Sequence, residues 1–162
     1  MIAPTTGKAT IFGYDVATEM EQIRTMMGVC PQHNILFPQL TVLEHLNIFA
    51  EFKGKAREEV EKEIETLLID LNLESKKDVY SMNLSGGYKR KLCLGMALVG
   101  GSKIVFLDEP SSGMDVTARR EMWDMLKKYK QDRIIILTTH YMEEADNLGD
   151  RIGIMSHGQM LC

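Results

Sequence analysis

No run in this 162-residue chain approaches the roughly 18 apolar residues that a membrane-spanning helix needs. No signal-peptide pattern opens it, so any membrane link is expected to come through a partner segment. Cysteine is scarce. Cys30, Cys93 and Cys162 stand far apart, match neither zinc nor disulfide spacing, and read as reduced thiols in a cytosolic setting. A charge extreme is also missing: the net charge of −4 and pI of about 5.6 exclude a dedicated nucleic-acid binder. At 44% hydrophobic and 26% charged the chain sits near the globular average, which removes the disordered and fibrous classes. Internal repeats, low-complexity tracts and flexible linkers are absent too. The most telling gap is a complete phosphate-binding loop. "TTGKAT" resembles the end of one, but position 2 is Ile where the first glycine belongs, and Ala9 replaces the magnesium-binding Ser or Thr. Lys8 is therefore expected to be a surface residue in a turn.

What is present alternates short apolar runs with helical patterns. Pro4 and Gly7 supply a turn into a short strand at residues 10–13, and residues 26–34 hold a second apolar piece stopped by Pro31. Thr41 and Glu44 form a capping-box pattern for a helix that stops at Gly54. Val60, Ile64, Leu67, Leu68 and Leu71 then share one helical face, so residues 41–73 read as a helical pair packed on something else. Ile104–Leu107 and Ile134–Leu137 are short uninterrupted apolar runs. The helix between them carries Met122, Met125, Leu126 and Tyr129 on one face. This pattern predicts buried parallel strands of an α/β sheet, with "RIGIMSHG" as a third strand turning at Gly158.

Several of these segments end in residues suited to phosphate chemistry. Asp108 and Glu109 stand at the expected carboxyl end of a strand, where open α/β sheets bind ligands. Two adjacent carboxylates suit a divalent metal and a water-activating base, or else are solvated acids before a turn proline. His140 ends the next strand in the same way, and is either a phosphate contact or a packed surface residue. Gln32, in a polar kink after Pro31, has an amide able to meet a metal-bound water. In "NLSGGYKRKL", Ser85, Gly86 and Gly87 open a helix whose N-terminal N–H groups could face an anion. Lys89, Arg90 and Lys91 crowd its first turn, a placement that makes sense if a polyphosphate approaches. The other reading is an N-cap Ser with a solvated basic face.

Taken in order, "CPQHN", "LSGGY", "IVFLDEP", "SSGMD" and "TTHYMEEAD" resemble the glutamine loop, signature motif, Walker B strand, D-loop and switch histidine of ABC transporter nucleotide-binding domains. The wording of "GVCPQHNILFPQLTVLEHL", "SGGYKRKL", "DVTARREMW" and "LGDRIGIMSHG" is similar to the A subfamily, whose studied members are mostly lipid exporters. The resemblance covers essentially the whole chain. It implies an α/β P-loop NTPase core sheet with an inserted helical subdomain. Residues 1–31 would be a remnant of the N-terminal β region, 32–98 the glutamine loop, helical subdomain and signature, and 99–162 the Walker B to switch-histidine core with a final hairpin.

The resemblance also assigns roles. Asp108 would hold Mg²⁺ through water, with Gln32 sensing metal and water and coupling to the membrane domain. Glu109 would polarise the attacking water, and His140 would contact the γ-phosphate. Ser85, Gly86 and Gly87 would bind the γ-phosphate of ATP held by an opposing domain, with Asp115 at the dimer seam. The implied partners are a second nucleotide-binding domain and transmembrane domains, at the cytoplasmic face of a membrane; nucleic acid is not among them. ATP-driven closure would be reversed by hydrolysis. Tyr88 stands where the signature usually ends in Gln, and "SSGMD" departs from the usual D-loop. The strand, Walker A loop and helix of the family would precede residue 1, in the middle of the core sheet. The chain is therefore expected to be an N-terminally truncated fragment of low stability, inactive as an ATPase by itself. Two alternatives stand beside the transporter: a non-transport ABC ATPase of translation or chromosomes, and a catalytically dead regulatory partner.

Overall fold

The computed structural model describes residues 5–161; the turn role given to Pro4 and the thiol of Cys162 lie outside them. The chain opens with a two-strand antiparallel hairpin, β1 (Thr10–Ile11) and β2 (Tyr14–Asp15). A short helix, α1 (Met20–Met26), follows and was not apparent from the sequence pattern. Lys8 is exposed beside a bend, as expected.

Three strands make the central sheet: β3 (Met27–Cys30), β4 (Ile104–Asp108) and β5 (Ile134–Thr138). Their order is β3-β4-β5 and both pairings are parallel, so Cys30, Leu107 and Leu137 lie abreast. β4 is paired directly with both β3 and β5, so a further strand could join only at the β3 or β5 edge, not between them. Only one sheet face is fully covered. Gly28, Cys30, Val105 and Leu107 are buried on it, and Ile135 and Leu137 pack against the core. On the other face Val29, Ile134 and Ile136 are 48%, 51% and 45% exposed. The expectation that both apolar faces would be buried is thus corrected. Apolarity on two sides records what the residues tolerate, whereas burial needs a second layer.

The helical pair is as expected. α2 (Val42–Phe52) starts with a full capping box: the Glu44 amide donates to Thr41 Oγ1, and the Thr41 amide donates to Glu44 Oε2. This cap contributes about 1 kcal/mol. α3 (Arg57–Asp70) buries Val60, Ile64, Leu67 and Leu68, with Leu71 just beyond it. The partner for this pair is α4 (Gly86–Leu98). At Gly95 an added Cβ would sit 2.9 Å from Leu71 Cδ1 and 3.1 Å from Leu46 Cδ2, so the helices approach closely there. α4 also lies across β3: a Cβ on Gly28 would fall 1.8 Å from the Ala97 carbonyl oxygen. One buried helix therefore joins the helical pair to the sheet.

α5 (Val116–Tyr129) buries Met122, Met125 and Leu126 and links β4 to β5; Tyr129 is only partly buried. A short α6 (Met142–Leu148) packs on α5, where the Trp123 indole N–H donates to the fully buried Glu144 at 2.9 Å. The third strand expected from "RIGIMSHG" does not join the sheet. Only Met155–Ser156 (β6) is extended, and it pairs with Gln159–Met160 (β7) in a separate antiparallel hairpin turning at His157 and Gly158. Ile152 and Ile154, which lie outside the β6–β7 pairing, stay half exposed.

Candidate functional site

Parallel pairing in register sends three chain segments out of the same sheet edge. β3 releases Pro31 and Gln32, β4 ends in Asp108 and Glu109, and β5 leads through Thr138 and Thr139 to His140. Asp108 and Thr138 are register partners, and the Thr138 hydroxyl donates to Asp108 Oδ1 at 2.6 Å. That bond orients one carboxylate oxygen and leaves the other toward solvent, since Asp108 is exposed. Glu109 is more enclosed. Its amide donates to the Thr138 carbonyl at 3.0 Å, and His140 Nδ1 lies 2.5 Å from its Oε2. This is an ion pair whenever the imidazole is protonated. The His140 side chain is 61% exposed and that of Glu109 18%, so the pair has one wet end and one sheltered end.

Glu109 adopts φ of +50°. A non-glycine residue in the left-handed region costs roughly 1–2 kcal/mol, and such strain persists where surrounding contacts over-determine it. The contacts are present. Besides its amide bond, the Glu109 carbonyl accepts from the Ser112 amide at 3.0 Å and from Arg90 at 2.8 Å.

Arg90 corrects the expectation of a basic first turn aimed at polyphosphate. It is 3% exposed and turns inward, donating to the carbonyls of Pro31, Gln32, Asp108, Glu109 and Pro110. Lys91 is also engaged, pairing with Glu121 at 3.1 Å. Helical geometry explains the split: position 90 faces the sheet edge, whereas 89 and 91 flank it.

Ser85 caps α4, its hydroxyl accepting from the Tyr88 amide at a long 3.5 Å. Gly86 and Gly87 have nothing within 4 Å of where a Cβ would stand. The start of α4 is thus bare backbone in open space, suited to an anion arriving from outside. Among the described residues no side-chain hydrogen bond joins Ser85, Gly86 or Gly87 to the Asp108–Glu109–His140 group; the connection runs through Arg90. Asp115 is engaged as the N-cap of α5, its Oδ1 accepting from the Ala118 amide at 2.9 Å. Gln32 has an exposed side chain, and only its carbonyl is held, by Arg90.

Two participants were missed in the sequence. Thr138 orients Asp108 and could have been found by laying the strands in parallel register. The second is a stack: the Arg119 guanidinium lies 4.2 Å from the Tyr141 ring centroid, and that ring lies 4.1 Å from the His140 ring. It ties the first turns of α5, and so the Asp115 cap, to the histidine segment. No periodicity signals it. Beneath the edge, Cys30 is fully buried, and burial pushes its thiol up to about 12. Cys93 is raised by burial as well. Both thiols are free, in line with the reduced state expected.

The described residues contain no group of three or more His, Cys, Asp or Glu that could hold a metal ion. Magnesium does not need one, because it keeps several waters and takes one or two carboxylates plus substrate phosphates. A single exposed Asp108 oxygen, with its neighbour pinned by Thr138, fits that donor set.

Comparison with known proteins bears on the whole chain. The sequence profile described as ABC transporter matches residues 1–112. "ATP-binding cassette sub-family A member 2" of Rattus norvegicus is 52% identical over 162 residues, all of this chain and 7% of the relative. "Phospholipid-transporting ATPase ABCA3" of Homo sapiens is 51% identical over the same span, 10% of its length. "ABC transporter A family member 2" of Dictyostelium discoideum is 52% identical over 98% of this chain and 10% of its own. The chain thus spans a tenth or less of these relatives. A solved "Structure of ATP binding subunit of ABC transporter" superimposes with a TM-score of 0.87 at 27% identity, covering 97% of this chain and 66% of that one.

Proposed function

The chain belongs to the A subfamily of ABC transporters as part of an ATP-binding domain, and we propose that its sheet edge is the hydrolytic half of an ATP site. In this reading Asp108 holds Mg²⁺ through water, with Gln32 beside it. The metal, when bound, would neutralise charge on the β- and γ-phosphate oxygens. Glu109 polarises the water that attacks the γ-phosphorus as the bond to the ADP oxygen breaks. His140 holds the γ-phosphate and steadies Glu109. The observation that carries this reading is the Glu109–His140 contact beside an Asp108 already oriented by Thr138. Phosphoryl transfer rests mainly on placement and electrostatics, and all of these side chains stand at or just beyond the carboxyl ends of neighbouring parallel strands.

Ser85, Gly86 and Gly87 serve a different nucleotide. Their bare N–H groups would meet the γ-phosphate of ATP held by a second, opposing cassette, with Asp115 at the seam between the two. Closure on ATP and reopening after hydrolysis would drive transmembrane domains from the cytoplasmic side, with lipid as the transported class, as the names of the phospholipid-transporting relatives suggest. Residues 1–31, 32–98 and 99–162 would be the β region, the helical subdomain with the signature, and the hydrolytic core. No helix among the described residues is long and apolar enough to cross a membrane. Within these 162 residues no Gly-x4-Gly-Lys-Ser/Thr supplies a lysine to the β- and γ-phosphates, so the segment alone is expected not to turn over ATP.

The test is ATPase activity of the full-length protein carrying this segment. Glu109→Gln should lower kcat by about 10²–10⁴-fold while leaving ATP binding intact, and the isolated segment should show no Glu109-dependent turnover. Equal kcat in wild type and Glu109→Gln would sink the assignment.

A further inference from the structure

Arg90 is the one residue of Lys89-Arg90-Lys91 that is buried, at 3% exposure, and among the described residues no carboxylate lies within ion-pair distance of it. A buried cation needs full pairing, and here backbone carbonyls supply it. The guanidinium has five N–H groups in a rigid fork, and five carbonyls accept from them. Nε donates to Pro110 at 2.9 Å. Nη1 donates to Pro31 at 2.5 Å and Gln32 at 3.1 Å. Nη2 donates to Asp108 at 2.6 Å and Glu109 at 2.8 Å. All five acceptors lie in two loops, one after β3 and one at the end of β4. No donor is left for a phosphate.

We propose that Arg90 is a positioning residue that clamps the Gln32 loop to the Asp108–Pro110 segment, so that metal-sensing amide and water-activating carboxylate move as one unit. The proposal rests on the reading of this edge as an ATP-hydrolysing site. Its origin on α4 matters. Arg90 stands five residues after Ser85, in the first turns of the helix whose open N-terminus would meet the second nucleotide. Displacement of that terminus would reach both loops of the hydrolytic site through one side chain whose rigid guanidinium fork is held at all five donors. Glu109 is also the residue with a φ of +50°, and three consecutive carbonyls around it are held by this clamp.

Lysine keeps the charge but offers three donors around a point, without the fork, so Arg90→Lys separates clamp from charge. In the full-length protein Arg90→Lys should lower kcat by about 10–100-fold, the scale of a small misplacement of reacting groups. KM for Mg-ATP should stay within about threefold, because uniform binding is untouched. Hydrogen exchange should speed up together at the amides of residues 32–34 and of 108, 109, 111 and 112, with residues 92–98 of α4 unchanged. A kcat within twofold of wild type overturns the proposal. So does an exchange pattern that is unchanged, or one that loosens all of α4, which would mark a purely structural role. Should Arg90→Lys not fold, native-state exchange of the wild type decides: one shared opening of the two loops supports the clamp, and two independent openings overturn it. Loss of the site reading itself is recognised separately, by turnover that survives Glu109→Gln, and the exchange measurements judge the clamp regardless of that result.

Discussion

Gly28 is where the sheet and α4 come closest. The contact that a side chain there would make is with backbone, at 1.8 Å from the Ala97 oxygen and 2.7 Å from its carbonyl carbon, so no flexible neighbour can yield. Gly28→Ala must separate β3 from α4, and overpacking of this kind costs about 1–3 kcal/mol or more. Urea unfolding should show a lower midpoint at unchanged slope; an unaltered midpoint would mean that α4 slides freely over the strand. The adjacent basic residues teach a related lesson. Lys89, Arg90 and Lys91 are alike in charge, yet Arg90 is sealed beneath the sheet edge and Lys91 reaches Glu121. Residue type set the available chemistry, and the angular position on the helix chose its use.

Among the elements, α4 carries the most contacts of different kinds, with an open N-terminus and a body buried between the helical pair and the sheet. Its C-terminus depends on Lys53, a residue from just beyond α2. The Lys53 ammonium donates to the carbonyls of Ala97 and Val99 and to the Ser102 hydroxyl, at 3.1, 2.5 and 2.6 Å. A cation at a helix C-terminus complements the dipole, but burial disfavours its charge and lowers its pKa from 10.5 to about 8. Between those two values the unfolded chain holds the proton more tightly than the folded one. This group's contribution to stability therefore rises as pH climbs from about 8 to 10.5, and is lost as pH falls back through 8. Lys53→Met should remove that rise. Comparing the pH slopes of the two melting temperatures isolates it from the Cys30 thiol, whose raised value acts in the opposite direction above pH 9; identical slopes would refute it.

At the scale of the molecule, one face of the sheet is half bare. Val29, Ile134 and Ile136 form an apolar strip, and β3 and β5 are both edges with unpaired ladder groups among the described residues. Exposed apolar edge strands template association. The 162-residue segment expressed alone should therefore bind hydrophobic dyes and self-associate, and Ile134→Lys with Ile136→Thr should suppress both. A monodisperse, dye-silent segment before substitution would show that this face is protected. The bare strip also explains why periodicity misled here. Runs such as "RIIILTTH" are apolar on both sides whether or not a second layer is present, so sequence alone reads them as fully buried.

The motifs, their order, the capping box at Thr41 and the apolar face of α3 were legible because each depends on local spacing. Helix period, cap geometry and turn chemistry act over a few residues. Asp108, Glu109 and His140 were recognisable as strand-end residues for the same reason. What tertiary structure decided was who meets whom. Parallel register put Thr138 against Asp108, and the chain beyond the strand ends brought the His140 side chain to Glu109. The packing of α4 on the sheet turned Arg90 inward toward two loops, and Ile134 and Ile136 stay exposed because no second layer among the described residues covers them. Those outcomes depend on contacts between residues tens of positions apart, whose geometry is set by the packing of α4 on the sheet and not by any local preference of the chain.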